Sequence, residues 1–192
     1  MNAINEQETA VKKTVEKPKR KANVAKECAY IAVFVALTIA VQFAFSALPV
    51  EFVTLLFVVY ASVFGVRRGV VAATAFSLIR QLLFGFFPVV LILYLWYYNF
   101  LAIVFGLLGK YLQGGWKRLP LAVVIACVCT ILFTLSDNVL TPLWYGYSAR
   151  AARYYFYASL PFMLPQTLGV GLSVGVLFLP LTRVFRRIER RL

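Results

Sequence analysis

The sequence predicts an all-α membrane protein, a bundle of six transmembrane helices with both termini in the cytoplasm. Hydrophobic residues make up 62% of the 192 residues and charged residues only 14%, whereas a soluble domain has roughly 45–50% apolar and about 25% charged residues. The mean hydropathy is +0.82, and the apolar residues fall in long runs with few charges. One globular core could not cover this much apolar surface, so a bilayer must cover it.

The N-terminal segment has a different composition, since it is polar and rich in Lys and Glu. A secretory signal peptide would place an apolar core directly after a short basic region, and this polar stretch is too long for that. We therefore expect residues 1–26 to form a disordered, basic cytoplasmic tail. Residues 27–187 are expected to form the transmembrane domain, and residues 188–192 a basic cytoplasmic end.

The first three predicted spans lie in the N-terminal half of the domain. The first covers residues 28–50, and the second covers residues 52–66 and is closed by a turn rich in Gly and Arg. The third covers residues 70–84 and contains Arg80, and the Gly-Phe-Phe-Pro sequence at 85–88 ends it. Because a spanning helix needs about 20 apolar residues, the short second and third spans are expected to be tilted or incomplete.

The last three predicted spans follow that break. The fourth covers residues 91–109, and a Gly- and Lys-containing loop at 114–118 separates it from the fifth, at 119–140. An aromatic connector at 144–157 then leads to the sixth span, at 160–182. Glycine, proline and basic residues punctuate the apolar runs, which is typical of helix ends.

The basic residues predict the orientation. If the N-terminal tail is cytoplasmic, all but three of the 20 Lys and Arg residues fall on the cytoplasmic side. The exceptions are Arg80, Arg150 and Arg153. The positive-inside rule describes this bias, so the net charge of +13 is a topology signal, and we expect no nucleic-acid partner.

The residue types argue against an enzyme. The absence of histidine excludes His-ligated zinc and a histidine general base. The sequence contains no ATP-binding or hydrolase motif and no cluster of acids for Mg²⁺. Cys28, Cys127 and Cys129 lack the C-x-x-C spacing and are expected to be small apolar residues. We therefore expect no catalytic residue, metal or cofactor in this chain.

Two charged residues lie inside apolar spans and are functional candidates. Arg80 is about 15 Å deep by helical rise, and Asp137 is the acid within the fifth span. They could pair with each other. Alternatively, both could line a cavity open to the outside, where Arg80 would bind a carboxylate, phosphate or amide. Gln81, Asn99 and Asn138 could add polar contacts in the second case.

Aromatic residues are concentrated on the predicted outer side. An interfacial belt of Trp and Tyr accounts for part of this pattern. Their combination with arginines also favours a small-molecule site, where rings with polar tips hold an amphipathic ligand. The candidates from this pattern are Tyr94, Trp144, Tyr147, Arg150 and Arg153.

Small residues form two stripes at helical spacing. The first span carries one and the last span carries Gly171 and Gly175. Such faces let two membrane helices approach closely, and the partner could be one of the protein's own helices or a separate subunit. The stripe of the first span consists of Ala25, Ala29, Ala32, Ala36, Ala40 and Ala44.

Together these features resemble the S components of energy-coupling factor (ECF) transporters, small membrane subunits that capture vitamins. The resemblance rests on the size, the cytoplasmic termini and the Ala32-x-x-x-Ala36-x-x-x-Ala40 face. It also rests on Pro-Val-Glu-Phe-Val at 49–53 and Tyr-Ala-Ser-Leu-Pro-Phe at 157–162. It covers residues 27–187, essentially everything except the tail.

The resemblance implies a role in ATP-driven uptake across a prokaryotic cell membrane. The alanine face, from Ala29 through Ala32 and Ala36 to Ala40, would dock on a transmembrane coupling (T) subunit. Two cytosolic ATPase subunits would supply ATP hydrolysis, so ATP and Mg²⁺ would belong to the partners. The substrate would bind near the outer ends of the later helices. The residues implied there are Asn99, Asp137, Asn138, Trp144 and Tyr147.

The substrate and one alternative function stay open. Pantothenate, folate, a queuosine-type base and a corrinoid are all compatible with arginines beside many rings. The long aromatic connector gives a slight preference for a large ligand such as cobalamin. The alternative is a self-sufficient secondary carrier or channel for a small organic solute, which the absence of an inverted repeat and of mid-membrane acids disfavours.

Overall fold

The computed structural model describes residues 24–45, 51–112 and 115–190. Within these ranges all regular structure is helical, and five helices are long and apolar enough to cross a membrane. The all-helical part of the expected fold class is therefore confirmed, and these helices are compatible with a membrane protein, although five such helices are found where six spans were expected. The helices are α1 (Val24–Ala44), α2 (Phe52–Phe84), α3 (Pro88–Leu112), α4 (Leu119–Trp144, after a short 3₁₀ turn at Trp116–Arg118) and α5 (Ala149–Glu189).

The terminal predictions lie largely outside the described residues. Residues 1–23 and 191–192 are among those not described, so the expected disorder of the N-terminal tail stays a prediction. The helix α1 begins at Val24, three residues before the expected end of that tail. At the other end, α5 continues to Glu189, so part of the expected basic end at 188–192 is helical.

The helix α2 reverses direction at Gly65. This residue has φ 80° and ψ 177°, a left-handed conformation that favours glycine. The Phe57 and Phe76 rings lie 5.2 Å apart, whereas a straight helix would hold them about 28 Å apart. Residues 52–64 and 66–84 therefore run antiparallel. The second and third predicted spans both lie in α2, and a single glycine joins them where the sequence suggested a longer turn.

Two glycines of α3 let that helix pack against the reversal. A methyl group at Gly109 would lie 2.8 Å from the Ser62 Cα, and one at Gly106 would lie 2.7 Å from the Val66 backbone nitrogen. Only hydrogen fits at these distances, so Gly106 and Gly109 set the approach of α3 to α2. The sequence analysis did not single out this pair of glycines.

Aromatic rings form the centre of the core. The Phe57 ring lies 5.3 Å from Phe34 of α1, and 4.7 Å from Tyr98 of α3. Phe34 also stacks on Tyr60 at 3.9 Å and lies 6.2 Å from Phe185 of α5. These contacts join α1, α2, α3 and the C-terminal part of α5 around one buried cluster.

The helices α4 and α5 form an antiparallel pair. A methyl group at Gly171 would lie 3.2 Å from the Cys127 Sγ and 3.9 Å from the Val123 Cγ1, so the Gly171–Gly175 face packs against the protein's own α4. With 41 residues, α5 is about 60 Å long. It therefore extends well beyond the roughly 30 Å hydrocarbon layer.

The aromatic connector expected at 144–157 is mostly helical. The turn between α4 and α5 is short and contains Gly146 with φ 63°. The Ser148 Oγ then accepts a hydrogen bond from the Ala151 backbone nitrogen at 3.3 Å, which caps α5. The cap and the alanines that follow it favour helix from Ala149 onward. The prediction of a connector followed the aromatic residues of the segment and did not take this helix signal into account.

Charge separates the two ends of the bundle. Glu27 pairs with Arg68, and Phe64 contacts Phe185 at 6.2 Å, so the start of α1, the reversal of α2 and the end of α5 lie together. We call this the basic end and the opposite end, where α1 finishes and α3 begins, the aromatic end. The described basic residues at the basic end are Lys26, Arg67, Arg68, Lys110, Lys117, Arg118, Arg183, Arg186, Arg187 and Arg190.

The close packing of α3 predicts that Gly109→Ala destabilises the protein. The added methyl group would overlap the Ser62 backbone, and overpacking typically costs about 1–3 kcal/mol. The measurement is thermal unfolding of the full chain in detergent. Gly175→Ala is the matched control, since its methyl group would meet the Val123 Cγ2 at an ordinary 3.8 Å. Equal unfolding temperatures for both variants and the wild type would contradict this packing.

Candidate functional site

A polar cavity of about 290 Å³ lies at the aromatic end, between α1, α2 and α3. Its lining contains polar and apolar residues in equal number, and convergent polar groups orient the ligand in small-molecule sites. We call it the Arg80 cavity. Its polar lining consists of Gln42, Glu51, Arg80, Tyr94 and Tyr98.

Arg80 is the central charged group of the cavity. Its guanidinium carbon lies 4.1 Å from the centre of the Tyr94 ring and 5.3 Å from that of Phe84, so cation–π contacts offset part of the cost of burial. Among the described residues, its buried Nε has no hydrogen-bond partner. Leaving a buried donor unsatisfied costs about 1–3 kcal/mol, so Arg80 holds an uncommitted donor beside the cavity.

Glu51 stands directly before α2 and is held by neutral donors. Its Oε1 accepts a hydrogen bond from the Gln166 Nε2 at 2.9 Å, and its Oε2 accepts one from the Thr54 Oγ1 at 3.2 Å. Among the described residues, the ion pair within 4.0 Å is that of Arg68 with Glu27. Glu51 and Arg80 therefore line the same cavity without pairing.

A chain of hydroxyl groups continues from Glu51 into the bundle. The Thr54 Oγ1 lies 3.3 Å from the Tyr97 Oη, which lies 3.4 Å from the Thr130 Oγ1 of α4. On the α1 side of the cavity, the buried Oε1 of Gln42 has no partner in the described part of the chain. Within the described part of the chain, the lining of the cavity thus includes a buried donor without a partner, at Arg80, and a buried acceptor without a partner, at Gln42.

The structure brings two of the candidate residues, Arg80 and Tyr94, together at the cavity. Gln81 is not among the lining residues. With its amide turned to the orientation that satisfies both neighbours, it donates to the Gly85 carbonyl at 2.7 Å and accepts from the Leu91 nitrogen at 2.9 Å. These bonds hold the turn between α2 and α3. Asn99 also lies outside it. Its side chain donates to the Leu95 carbonyl at 2.8 Å and accepts from the Thr74 hydroxyl at 3.2 Å, which joins α3 to α2.

Asp137 and Asn138 belong to a second polar cluster, between α4 and α5. The Asp137 carboxylate accepts from the Thr141 Oγ1 at 2.6 Å and from the Tyr155 Oη at 2.9 Å. The Asn138 Nδ2 donates to the Ser159 Oγ at 2.7 Å, and its buried Oδ1 has no partner among the described residues. The ion pair of Arg80 with Asp137, one of the two interpretations of the sequence, is not formed between these two described residues.

The remaining candidates lie on the exposed tip of the α4–α5 pair. Trp144 and Tyr147 are 53% and 43% exposed. Arg150 and Arg153 lie on one face of α5, where they line a separate concavity of about 390 Å³ with Tyr154 and Tyr157. This concavity and the Arg80 cavity share no lining residue.

The alanine face of α1 points away from the protein's own helices. Ala29, Ala32, Ala36 and Ala40 are exposed, whereas the opposite face of α1 buries residues such as Phe34. In its most apolar window only 17% of α1 is buried, against 33% to 61% for the other four helices. Of the two small-residue stripes, one therefore packs inside the protein, and the other is exposed in the part of the chain that the structure describes.

Sequence analysis did not identify two residues of this site. These residues are Glu51, which the sequence offers as an acid near the outer side and within the 49–53 segment, and Gln166. A lone acid beside an apolar span was the available signal for Glu51. No signal was available for Gln166, since its partner lies 115 positions away in the chain.

Comparison with known proteins gives no independent identification. No family model matches the sequence, and no curated protein or solved structure shows significant similarity to it. The function is therefore argued from the geometry described above and from the residues that carry the resemblance to S components.

Proposed function

We propose that the protein is the substrate-specificity subunit of an ECF-type transporter, which captures a vitamin or related micronutrient outside the cell for ATP-driven uptake. The observation that carries this proposal is the Arg80 cavity, whose half-buried arginine has a buried Nε–H without a partner among the described residues. A charged group at membrane depth is costly and marks a substrate or ion pathway. The resemblance in sequence supplies the transporter type.

The proposed orientation puts the cavity on the outer side. The basic end is cytoplasmic by the positive-inside rule, so the aromatic end faces the exterior. If residues 52–64 and 66–84 of α2 each cross the membrane, the chain makes six passes and both termini are cytoplasmic. Residues 52–64 span only about 20 Å, which requires tilt or local thinning of the bilayer.

The size of the cavity favours a small micronutrient. Its volume of about 290 Å³ lies at the lower limit of the range of about 300–1,000 Å³ for small-molecule sites. A corrinoid is favoured less than it was by the sequence, because the connector that suggested a large ligand is mostly helix α5. A pantothenate-sized solute suits the cavity better.

The exposed alanine face supports docking on a second membrane subunit. Alanines on a lipid-facing helix contribute little to contact with acyl chains, but they let another helix approach closely, where packing drives association. Under this proposal Ala29, Ala32, Ala36 and Ala40 contact the coupling subunit, and two cytosolic ATPases act through it. The chain itself carries out binding and no ATP hydrolysis.

Arg80→Ala is expected to weaken solute binding strongly. Loss of one partner of a buried charged pair costs on the order of 2–5 kcal/mol. The measurement is a titration of the purified chain with a vitamin panel, followed by Trp fluorescence in the absence of ATP. Arg153→Ala, on the exposed face of α5, is the control and should retain affinity. The proposal would be contradicted if no compound bound. It would also be contradicted by uptake into liposomes that contain this chain alone, a result that would favour a self-sufficient carrier.

Ala36→Trp is expected to abolish co-purification with the coupling subunit while solute affinity is retained, because the bulky ring prevents close helix approach. Leu172→Trp is the matched control, since Leu172 is an exposed residue of α5 outside the alanine face and its substitution should leave the complex intact. The readout is pull-down from co-expressing cells, together with a binding titration. An intact complex for Ala36→Trp would remove the alanine face from the interface.

A further inference from the structure

We propose that the solute of the Arg80 cavity is an amphiphilic monoanion, with a carboxylate that binds Arg80 and an N–H or O–H donor that binds at Gln42 and Glu51. This inference rests on the proposed function and deepens it by stating the chemical class of the substrate. It follows from the donors and acceptors that the cavity leaves unsatisfied and from their separation by an apolar wall.

The geometry around Arg80 selects a planar acceptor. The rings of Tyr94 and Phe84 lie near the guanidinium group, at 4.1 Å and 5.3 Å from its carbon. The buried Nε–H of that group has no partner among the described residues. A carboxylate binds the edge of a guanidinium group with two parallel hydrogen bonds. The uncharged oxygen of an amide or alcohol would accept only one hydrogen bond and would leave the positive charge of Arg80 uncompensated.

The other polar groups of the cavity select a donor. The buried Gln42 Oε1 is an acceptor without a partner in the described part of the chain. Each Glu51 oxygen already accepts one hydrogen bond but has a second lone pair for another donor. A hydroxyl or amide N–H group of the solute would satisfy these acceptors without changing its net charge.

The single basic residue of the described lining, Arg80, limits the solute to one compensated negative charge. A phosphate monoester carries about −1.5 to −2 at pH 7, and its second charge would face the Glu51 carboxylate in a cavity of about 290 Å³. A carboxylate at Arg80 compensates the arginine without adding a further anion beside Glu51. Between the polar groups, Val41, Phe45 and Phe52 line the wall and would contact an apolar solute body.

The test uses the full chain in nanodiscs and calorimetric titration with matched pairs of compounds. The probes are pantothenate with panthenol, nicotinate with nicotinamide, and biotin with biotin amide, together with 4′-phosphopantothenate as a dianion. At least one acid should bind about tenfold or more tightly than its neutral counterpart, which corresponds to one charge-assisted hydrogen bond. Arg80→Gln should remove this preference by weakening the acid alone, and Glu51→Gln should improve binding of the phosphate ester relative to its parent acid.

A second measurement keeps the inference falsifiable if Arg80→Gln fails to fold. Small molecules that co-purify with the wild-type chain are extracted and identified by mass spectrometry, and a retained monocarboxylate is the expected result. A neutral or cationic retained solute, or equal binding of acid and neutral compounds, would overturn the inference while the proposed function stands. If no probe binds and no solute is retained, the proposed function fails and the inference fails with it.

Discussion

The close approach of α3 to the reversal of α2 is the contact on which the arrangement of this protein depends. Because Gly106 and Gly109 carry no side chain, the backbone around Ser62 and Val66 lies against α3. The reversal at Gly65 then returns the C-terminal half of α2 alongside α3. As a result Arg80 of α2 reaches Tyr94 of α3, and the cavity forms where these two helices meet the end of α1. A bulkier residue at either glycine would separate the elements that build the site.

The bilayer explains why so few polar side chains are available for binding. In lipid every polar group needs an internal partner, and most of the described Ser and Thr hydroxyl groups donate to a backbone carbonyl three or four positions earlier. Such back-bonding satisfies the side chain without any tertiary contact. Arg80 and Gln42, like Asn138 and Thr167, each have a buried polar atom without a described partner, and Arg80 and Gln42 line the same cavity. The back-bonded hydroxyl groups include those of Thr38, Ser62, Ser77, Thr130 and Thr182.

The sequence predicted the features that depend on local composition and failed on those that depend on tertiary contacts. Charge bias separated the basic end from the aromatic end, and membrane depth singled out Arg80, since both signals are local. The reversal at Gly65 was placed in the right region, but a turn of one residue leaves no loop composition to detect. Gln81 and Asn99 looked like site residues because polar groups in apolar spans are rare, yet both bond within the helix scaffold. The role of Glu51 is recognised only from its hydrogen bond with Gln166, and no sequence pattern links residues so far apart in the chain.

The helix α1 takes part in both activities of the proposed function, solute binding and docking on the coupling subunit. Its end carries Gln42 at the cavity, its inner face stacks Phe34 on Tyr60, and its outer face exposes the alanines. The Glu27–Arg68 pair fixes its other end to the reversal of α2. A solute that bonds to Gln42 therefore acts on the helix that the coupling subunit would contact. By linkage, any effect of solute on docking must equal the effect of docking on solute affinity. Because few of its residues are buried, α1 is the helix that can change its position at the lowest cost in packing. A shift of α1 would therefore couple solute binding to docking.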